Sequence, residues 1–225
     1  MFDGSVPLAV KFLFGSLLAA SASAVSTNDD DALKPNYVSS MLSPVEGSSV
    51  KPRLCAARAK FPLRVVVLNS FYFSDAYYSA IKQACEAWSE ATKNVPGGGA
   101  TLTCVDSDDV KGADVVFLMC TRETLGGFSG FTTELGAGAV IRLSAFDPDG
   151  HRVTAQSLKR VAMHEFGHAL GIWGHSPDPN DAMSLSEKAA KVSQADVNTL
   201  RAAYSGHGLS IQQKSGAWMF VQGSK

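Results

Sequence analysis

The segment that most constrains the fold is residues 164–175, which reads HEFGHALGIWGH. On a helix over residues 155–170, His164 and His168 lie one turn apart on the same face, where two imidazoles can bind one metal ion. Glu165 is rotated by about 100° around that helix, beside the metal. Its carboxylate can there take a proton from a water that the metal holds. The pattern therefore predicts a helix that carries a catalytic metal site.

The residues after the second histidine predict a third ligand. Gly171 is expected to end the helix, because a left-handed residue costs glycine little, and the chain can then turn back to deliver His175. Three protein ligands leave one position of zinc open, which is the catalytic arrangement. Zn2+ is the predicted cofactor because imidazole ligands and hydrolytic chemistry favour it. A chance match on an ordinary helix is the alternative, and Gly171 and His175 argue against it.

This stretch resembles the metzincin metallopeptidases, and among them the matrixins, which read H-E-x-x-H-x-x-G-x-x-H and have a Met-containing turn downstream. Here Ser176 follows His175, and Met183 follows Ser176 seven residues later. The resemblance implies that Met183 forms an apolar floor beneath the metal; an ordinary core methionine is the alternative. It also implies an α+β fold of the zincin type. That fold has a twisted, mostly parallel sheet with an antiparallel edge strand, an active-site helix and a C-terminal helix.

Two differences from the matrixin pattern bear on the site. Three residues rather than two separate Gly171 from His175, and we expect Gly174 to absorb the extra one as a bulge. Asp178 is the reserve candidate for the third ligand. In addition, Met183 is followed by Ser-Leu-Ser where matrixins commonly have Tyr-Pro. That region shapes the pocket beside the scissile bond, so the substrate preference of matrixins cannot be carried over.

The amino terminus has the features of a secretory signal. Residues 12–20 form a short apolar run preceded by Lys11, and residues 22–24 (Ala-Ser-Ala) form a small-residue cleavage site. Residues 1–24 are therefore a predicted signal peptide. A membrane anchor is the alternative, but it would need about 18 or more continuous apolar residues. We expect a secreted protein, or one in the lumen of the secretory pathway, with no membrane segment in its mature form.

Length and charge narrow the classes of function. The 225 residues allow one catalytic domain with short extensions. The net charge of −1 and the lack of a Lys/Arg cluster argue against nucleic-acid binding.

Residues 25–60, rich in Ser, Pro and Asp, are a predicted linker or short pro-segment. Residues 61–206 are the predicted catalytic domain and residues 207–225 a C-terminal tail, in a chain that we expect to be a monomer.

Four cysteines lie outside the histidine pattern, namely Cys55, Cys85, Cys104 and Cys120. In an oxidising compartment they could form two disulfides in three connectivities, whereas in the cytosol they would be buried thiols. Cys55 ends the segment PRLC, which resembles the matrixin pro-segment motif PRCG. The thiolate of that motif occupies the open position of the zinc as a zymogen latch. Because a Leu intervenes and no Gly follows, a plain disulfide is the favoured interpretation of Cys55.

Apolar runs and periodicity predict the elements of the domain. Residues 63–68 form a strand buried on both faces, residues 75–93 an amphipathic helix, and residues 100–105 and 114–119 two more strands. This order is consistent with a partly parallel sheet that contains a right-handed crossover.

The resemblance also implies an antiparallel edge strand that borders the cleft and binds the substrate backbone. Residues 131–143 are the candidate, with a flexible surface loop as the alternative. Ser193, followed three residues later by an acid, is expected to cap a final helix. The apolar stripe of that helix is Val197, Leu200, Ala203 and Tyr204.

Asp147 and Asp149 lie in the segment AFDPDG, which resembles a matrixin stretch that supplies acidic calcium ligands. Two carboxylates and a Gly turn could hold Ca2+. An ordinary Asp-rich turn is the favoured interpretation, because six or more ligand oxygens cannot be found there. The neighbouring His151 lacks the partners of a second, structural zinc site.

Together these features predict a secreted zinc endopeptidase that hydrolyses peptide or protein substrates, with Glu165 as the general base on zinc-bound water. One alternative is a non-catalytic binding or scaffold protein with the metzincin fold, which the altered spacing and the missing Tyr-Pro favour. The other is a zinc peptidase with a different third ligand. The downstream acids available for that role are Asp178, Asp181, Glu187 and Asp196.

Overall fold

The structure is a computed structural model that describes residues 34–38, 63–93, 103–106, 109–135, 138–186, 188–204, 210–214 and 217–221. Its helices are α1 (Asp75–Thr92), α2 (Ala155–Leu170) and α3 (Gln194–Tyr204), with a short 3₁₀ helix at Glu123–Leu125. Its strands are β1 (Arg64–Val67), β2 (Thr103–Asp106), β3 (Val115–Cys120), β4 (Gly130–Leu135), β5 (Gly138–Ser144), β6 (Ser210–Lys214) and β7 (Ala217–Val221). Within these residues no helix is long and apolar enough to cross a bilayer. The predicted signal peptide and Cys55 lie outside the described residues.

Five strands form one mixed sheet in the order β2-β1-β3-β5-β4. The first four are parallel, and β4 runs antiparallel to β5 at the edge. This confirms the predicted α+β fold with a mostly parallel sheet and an antiparallel edge strand. The predicted edge segment 131–143 divides into two strands, because only β4 is at the edge while β5 lies inside the sheet beside β3. In the tail, β6 and β7 pair with each other as an antiparallel hairpin.

The main core lies between one face of the sheet and the helices. The valines at 65–67 of β1 are fully buried, as predicted for a strand covered on both faces. Across the sheet, Val67, Phe117 and Ile141 lie side by side in register and belong to the core. The ring of Phe166 in α2 stacks on Phe117 with 6.0 Å between ring centroids, so α2 covers this face.

Helix α1 forms as its periodicity predicts. Its N-cap is Ser74, whose hydroxyl accepts a hydrogen bond from the backbone N–H of Tyr77 at 3.3 Å. One stripe is buried, comprising Tyr77, Ala80, Ile81, Ala84, Cys85, Trp88 and Thr92. Burial of each large apolar side chain in such a stripe stabilises the fold by roughly 1.5–3 kcal/mol. The indole N–H of Trp88 also donates to the backbone carbonyl of Met163 at 2.7 Å, which fixes α1 against α2.

A short segment of the predicted linker packs against helix α3. Tyr37 is buried, and its backbone N–H donates to the hydroxyl of Thr199 at 3.2 Å. The side-chain amide of Asn198 donates to the carbonyl of Pro35 at 2.9 Å. Residues 34–38 are therefore packed onto the folded domain, with the side chain of Tyr37 in its core.

The prediction of two disulfides is wrong for Cys120. This residue ends β3 as a free thiol opposite Ser144 of β5, and its Sγ donates to the carbonyl of Leu143 at 3.5 Å. Burial raises the pKa of the Cys120 thiol, with Arg142 acting in the opposite direction. Cys120 alternates along β3 with the core residue Met119, so its buried side chain lies on the opposite face of the sheet from the main core. Cys120 is thus a buried thiol, the alternative that its sequence left open.

Helix α2 packs tightly against its neighbours at Gly167. A Cβ built on Gly167 would lie 2.2 Å from the Sδ of Met183 and 2.8 Å from Cζ2 of Trp88. The missing side chain therefore lets the thioether of Met183 and the indole of Trp88 reach the helix backbone between His164 and His168.

Replacing Gly167 with Ala tests this contact. Helix propensity alone would stabilise the variant by about 1 kcal/mol, because Ala is a better helix former than Gly. We expect the opposite sign, a loss of about 1–3 kcal/mol in the free energy of unfolding, because the added methyl overpacks the core. Urea denaturation measures it. In a Met183→Ala background the same substitution should cost less, and equal costs in both backgrounds would contradict the contact.

Candidate metal centre

Helix α2 has the boundaries that the sequence predicts. Thr154 caps its start, since its hydroxyl accepts a hydrogen bond from the N–H of Ser157 at 3.1 Å. Gly171 ends it with φ of 120°, a left-handed value that favours glycine. The N–H of Gly171 donates to the carbonyl of His168 at 2.9 Å. The chain can therefore leave the helix directly after the second histidine.

Three imidazoles converge beside this helix end. The ring centroids of His164 and His168 are 4.8 Å apart. The ring centroid of His175 lies 5.2 Å from that of His164 and 5.1 Å from that of His168. One potential ligand atom from each ring lies within 4.8 Å of the other two. His164 and His168 are buried, and His175 is half-buried. The structure thus brings all three sequence-predicted histidines around one point.

Backbone carbonyls fix the orientation of the two helical histidines. Nδ1 of His164 lies 3.0 Å from the carbonyl oxygen of Ala182, and Nδ1 of His168 lies 2.6 Å from that of Ile172. A carbonyl can only accept, so each Nδ1 carries the proton and donates it. The Nε2 lone pair of each ring is then available to a metal, which is the usual arrangement of metal-ligating histidines.

The three imidazoles are held in their neutral form. Burial, with a smaller contribution from the nearby His175, lowers the pKa of His164 to about 4. Burial, with a smaller contribution from His164, lowers the pKa of His168 to about 3. The pKa of His175 is lowered by burial as well. Because a metal binds the neutral imidazole, three neutral nitrogen donors at this spacing fit Zn2+.

Glu165 lies beside the histidines in a cleft of about 650 Å3. The cleft is lined by residues 128–134, by the three histidines and by Glu165, Trp173 and Leu185. Glu165 is buried, and its Oε2 accepts a hydrogen bond of 2.6 Å from the hydroxyl of Thr132 on β4. A larger cavity of about 780 Å3, beside Tyr72 and Arg122, contains none of the histidines. The convergent donors and the carboxylate make the smaller cleft the candidate active site.

A matrixin family model matches residues 69–205, more than half of the chain. The chain belongs to the matrixin family. A search among curated proteins gives no match. Membership confirms the resemblance carried by the histidine pattern, and it makes the chain a member of a metallopeptidase family whose substrates are peptides or proteins. The family implies a catalytic zinc, and His164, His168 and His175 form a group that can hold it.

Three residues connect Gly171 at the end of the helix to His175. The side chain of Ile172 is buried in the core, and its N–H donates to the carbonyl of Gly167 at 3.1 Å. Trp173 lies over the ring of His168, with 5.8 Å between centroids and 15° between planes. Gly171 has a positive φ, whereas Gly174 is not among the described glycines with a positive φ. The left-handed residue is therefore Gly171, as the sequence predicts, and the bulge at Gly174 stays a prediction.

Met183 lies in a turn that packs against helix α2. It is fully buried, its thioether contacts the helix at Gly167, and its carbonyl accepts a hydrogen bond of 2.9 Å from the N–H of Ser176. Ser176 and Ser184 also form a parallel bridge. The segment that follows the third histidine is thus paired with the Met-containing turn, so the two hold each other in position.

Asp196 anchors that turn from helix α3. Its carboxylate is 0% exposed. It accepts hydrogen bonds from the N–H of Ala182 (2.8 Å), the N–H of Met183 (3.3 Å), the N–H of Ser193 (2.8 Å) and the hydroxyl of Tyr37 (2.8 Å). The N–H of Asp196 donates in return to the hydroxyl of Ser193, which completes the predicted cap. Sequence reasoning identified Asp196 as a capping acid and missed its bonds to the turn.

The other downstream acids that the structure describes are not grouped with the histidines. Asp178 is exposed, and its carboxylate accepts hydrogen bonds from the backbone and side-chain N–H groups of Asn180. Asp181 accepts a hydrogen bond from the hydroxyl of Ser176. Glu187 lies outside the described residues. Of the candidates for a third ligand that the structure describes, His175 is the one grouped with His164 and His168.

Asp147, Asp149 and His151 form a second group whose potential ligand atoms lie within 4.8 Å of one another. Asp147 Oδ1 accepts hydrogen bonds from the backbone N–H groups of Asp149 at 3.0 Å and His151 at 2.9 Å. This is the hydrogen-bonding pattern of an Asp-rich turn. Calcium binding by Asp147 and Asp149 stays a prediction, and the zymogen latch predicted for Cys55 lies outside the described residues.

An Asp196→Asn variant tests the link between helix α3 and the metal site. The amide would turn one acceptor oxygen into a donor that faces buried N–H groups, so we expect a loss of roughly 2–5 kcal/mol in the free energy of unfolding. Zinc affinity should fall by about tenfold to a hundredfold, because the carbonyl of Ala182 orients His164. Chemical denaturation and competitive zinc titration measure the two effects. Asp178→Asn is the matched control, and equal behaviour of the two variants would contradict the anchor.

Proposed function

We propose that this matrixin is a zinc-dependent endopeptidase in which His164, His168 and His175 hold the metal and Glu165 is the general base. The observation that supports this best is the convergence of three neutral imidazoles beside a buried carboxylate in one cleft. Three ligands leave a coordination position open, as in catalytic zinc sites. The edge strand β4 lines the same cleft, where an extended peptide can add to the sheet.

Glu165 performs the proton transfers. Zinc, when bound, polarises the scissile carbonyl and lowers the pKa of water. The carboxylate of Glu165 accepts a proton from the attacking water and then donates it to the nitrogen of the leaving amine, which departs neutral. Nδ1–H of His164 and of His168 stays bonded to the carbonyls of Ala182 and Ile172 throughout, so neither ring turns away from the metal.

Apolar side chains at the cleft bear on the substrate. Phe128, Phe131 and Leu185 are 62%, 50% and 73% exposed, and all three line the cleft. Exposed apolar side chains that gather at one cleft favour a partner that covers them. We infer a preference for peptides with apolar side chains near the scissile bond.

We also propose export through the secretory pathway. The support for it is the apolar run of residues 12–20, followed by the Ala-Ser-Ala stretch of residues 22–24. Amino-terminal sequencing of the exported protein should find a start close to residue 25, and an uncleaved amino terminus would contradict the signal peptide.

Replacing Glu165 with Gln tests the general base. We expect the variant to keep one zinc per chain and to lose about 10² to 10⁴ in kcat on a quenched fluorescent peptide, because the amide cannot accept the proton. Full activity in this variant would contradict the role of Glu165 as general base.

If the wild-type protein binds zinc yet cleaves neither the peptide nor casein, the non-catalytic alternative is favoured. Cleavage that survives a chelator would exclude the metal from the reaction.

Replacing His175 with Ala tests the third ligand. We expect zinc stoichiometry and activity to fall together, because two imidazoles bind zinc far more weakly than three. Asp178→Ala is the matched control from the same loop and should retain its zinc, since the carboxylate of Asp178 accepts hydrogen bonds from Asn180 and is not grouped with the histidines. Elemental analysis after dialysis checks both variants. Loss of zinc from the Asp178 variant alone would favour the peptidase with a different third ligand.

A further inference from the structure

We propose that Thr132 is a positioning residue that orients the carboxylate of Glu165. The inference rests on the proposed function, in which Glu165 is the general base. Thr132 lies on β4, the strand at the edge of the sheet that borders the cleft, and not on the helix that carries Glu165. The link therefore joins the substrate-binding edge to the reacting group.

The hydrogen bond between the two side chains is short. The hydroxyl of Thr132 donates to Oε2 of Glu165 at 2.6 Å, a length typical of an O–H donor bonded to a charged oxygen. The same hydroxyl lies 3.0 Å from the backbone carbonyl oxygen of Glu165. A hydroxyl has one proton, and the charged oxygen is the stronger acceptor. Both side chains are buried, so water competes little for this bond.

The backbone of β4 is shaped for this contact. Phe131 points outward and is half exposed, whereas the next residue, Thr132, is buried against helix α2, as alternation along a strand requires. At Gly130 a Cβ would lie 2.7 Å from Cγ and 2.9 Å from Oε1 of Glu165. Glycine at this position therefore allows the strand to approach the carboxylate closely enough for Thr132 to reach it.

The bond fixes which oxygen performs the proton transfer. A carboxylate rotates readily about its terminal torsion, because that torsion has no sharp minima. Thr132 holds Oε2 and so stops this rotation. The proton from the attacking water is then taken up on Oε1 and leaves from Oε1 to the amine, while Oε2 stays bonded to Thr132. A general base held in this way stays aligned through both transfers.

Kinetics of Thr132 variants test the role. We expect Thr132→Val, which keeps the shape and removes the hydroxyl, to lower kcat by about tenfold to a hundredfold, the effect of one hydrogen bond to a charged group. KM should change by less than about twofold, because the backbone of β4, to which the peptide adds, is the same in the variant. Thr132→Ser should restore kcat to within about threefold of wild type. A wild-type kcat in the Val variant, or a Ser variant as slow as the Val variant, would overturn the proposal.

A buried threonine elsewhere provides the matched control. The hydroxyl of Thr92 in α1 donates to the carbonyl of Trp88 at 2.7 Å, away from the cleft. Thr92→Val also removes a buried hydroxyl, so it shows how far such a loss lowers the unfolding midpoint while kcat stays at the wild-type value. A similar fall in kcat for both variants would mean that Thr132 acts through stability alone.

Infrared spectroscopy of the zinc-loaded protein gives a readout that does not depend on activity. With ¹³C-labelled glutamate, the band that disappears in Glu165→Gln is the carboxylate stretch of Glu165. We expect this band to shift in Thr132→Val, and in Thr132→Ala should the Val variant not fold, but to stay in place in Thr132→Ser. If the band shifts in Thr132→Val but the wild-type protein cleaves no peptide, the proposed function is refuted and the positioning role is supported. If the wild-type protein cleaves peptides but the band does not shift in Thr132→Val, the positioning role is refuted and the proposed function is supported.

Discussion

The position of the carbonyl of Ala182 is the constraint on which the metal site depends. Helix geometry places His164 and His168 on one face, but each ring can still rotate. The ring of His168 is held locally, by a carbonyl four residues along the chain, whereas the ring of His164 is held by Ala182, eighteen residues away. The site therefore exists only when the loop after His175 returns to the helix.

That return depends on one buried charge. Asp196 accepts four hydrogen bonds, two of them from the N–H groups of Ala182 and Met183, and its carboxylate is removed from solvent. Burial of a carboxylate costs free energy unless its oxygens accept hydrogen bonds. The N–H and O–H donors and the Asp196 charge therefore stabilise each other only in the folded arrangement. Tyr37 supplies one of these donors, which ties the segment before the domain to the same centre. Helix α3, the Met-containing turn and residues 34–38 thus act on the histidines through one side chain.

Much of the fold could be predicted because its signals are local. The valines of β1, the stripe of α1 and the glycine that ends α2 each reflect a period or a backbone conformation that a short window of sequence contains. The edge strand was predicted over residues 131–143 without the turn that divides it into β4 and β5. β4 reads GFTTEL and β5 reads GAVIRLS, and it is the pairing of β5 with β3 that places this strand inside the sheet. Cys120 was misjudged for the same reason, since the thiol lies opposite Ser144 and no short-range pattern encodes that partner.

The sequence by itself determined the family, the metal-binding pattern and the helix that carries it, because the spacing of His164, Glu165 and His168 is a property of helix geometry. Only the tertiary structure decided that His175 joins them and Asp178 does not, since that depends on how the loop packs. It also decided that Thr132 contacts Glu165, thirty-three residues apart in the chain. A hydrogen bond between distant residues depends on the path of the whole backbone between them, which no local pattern specifies.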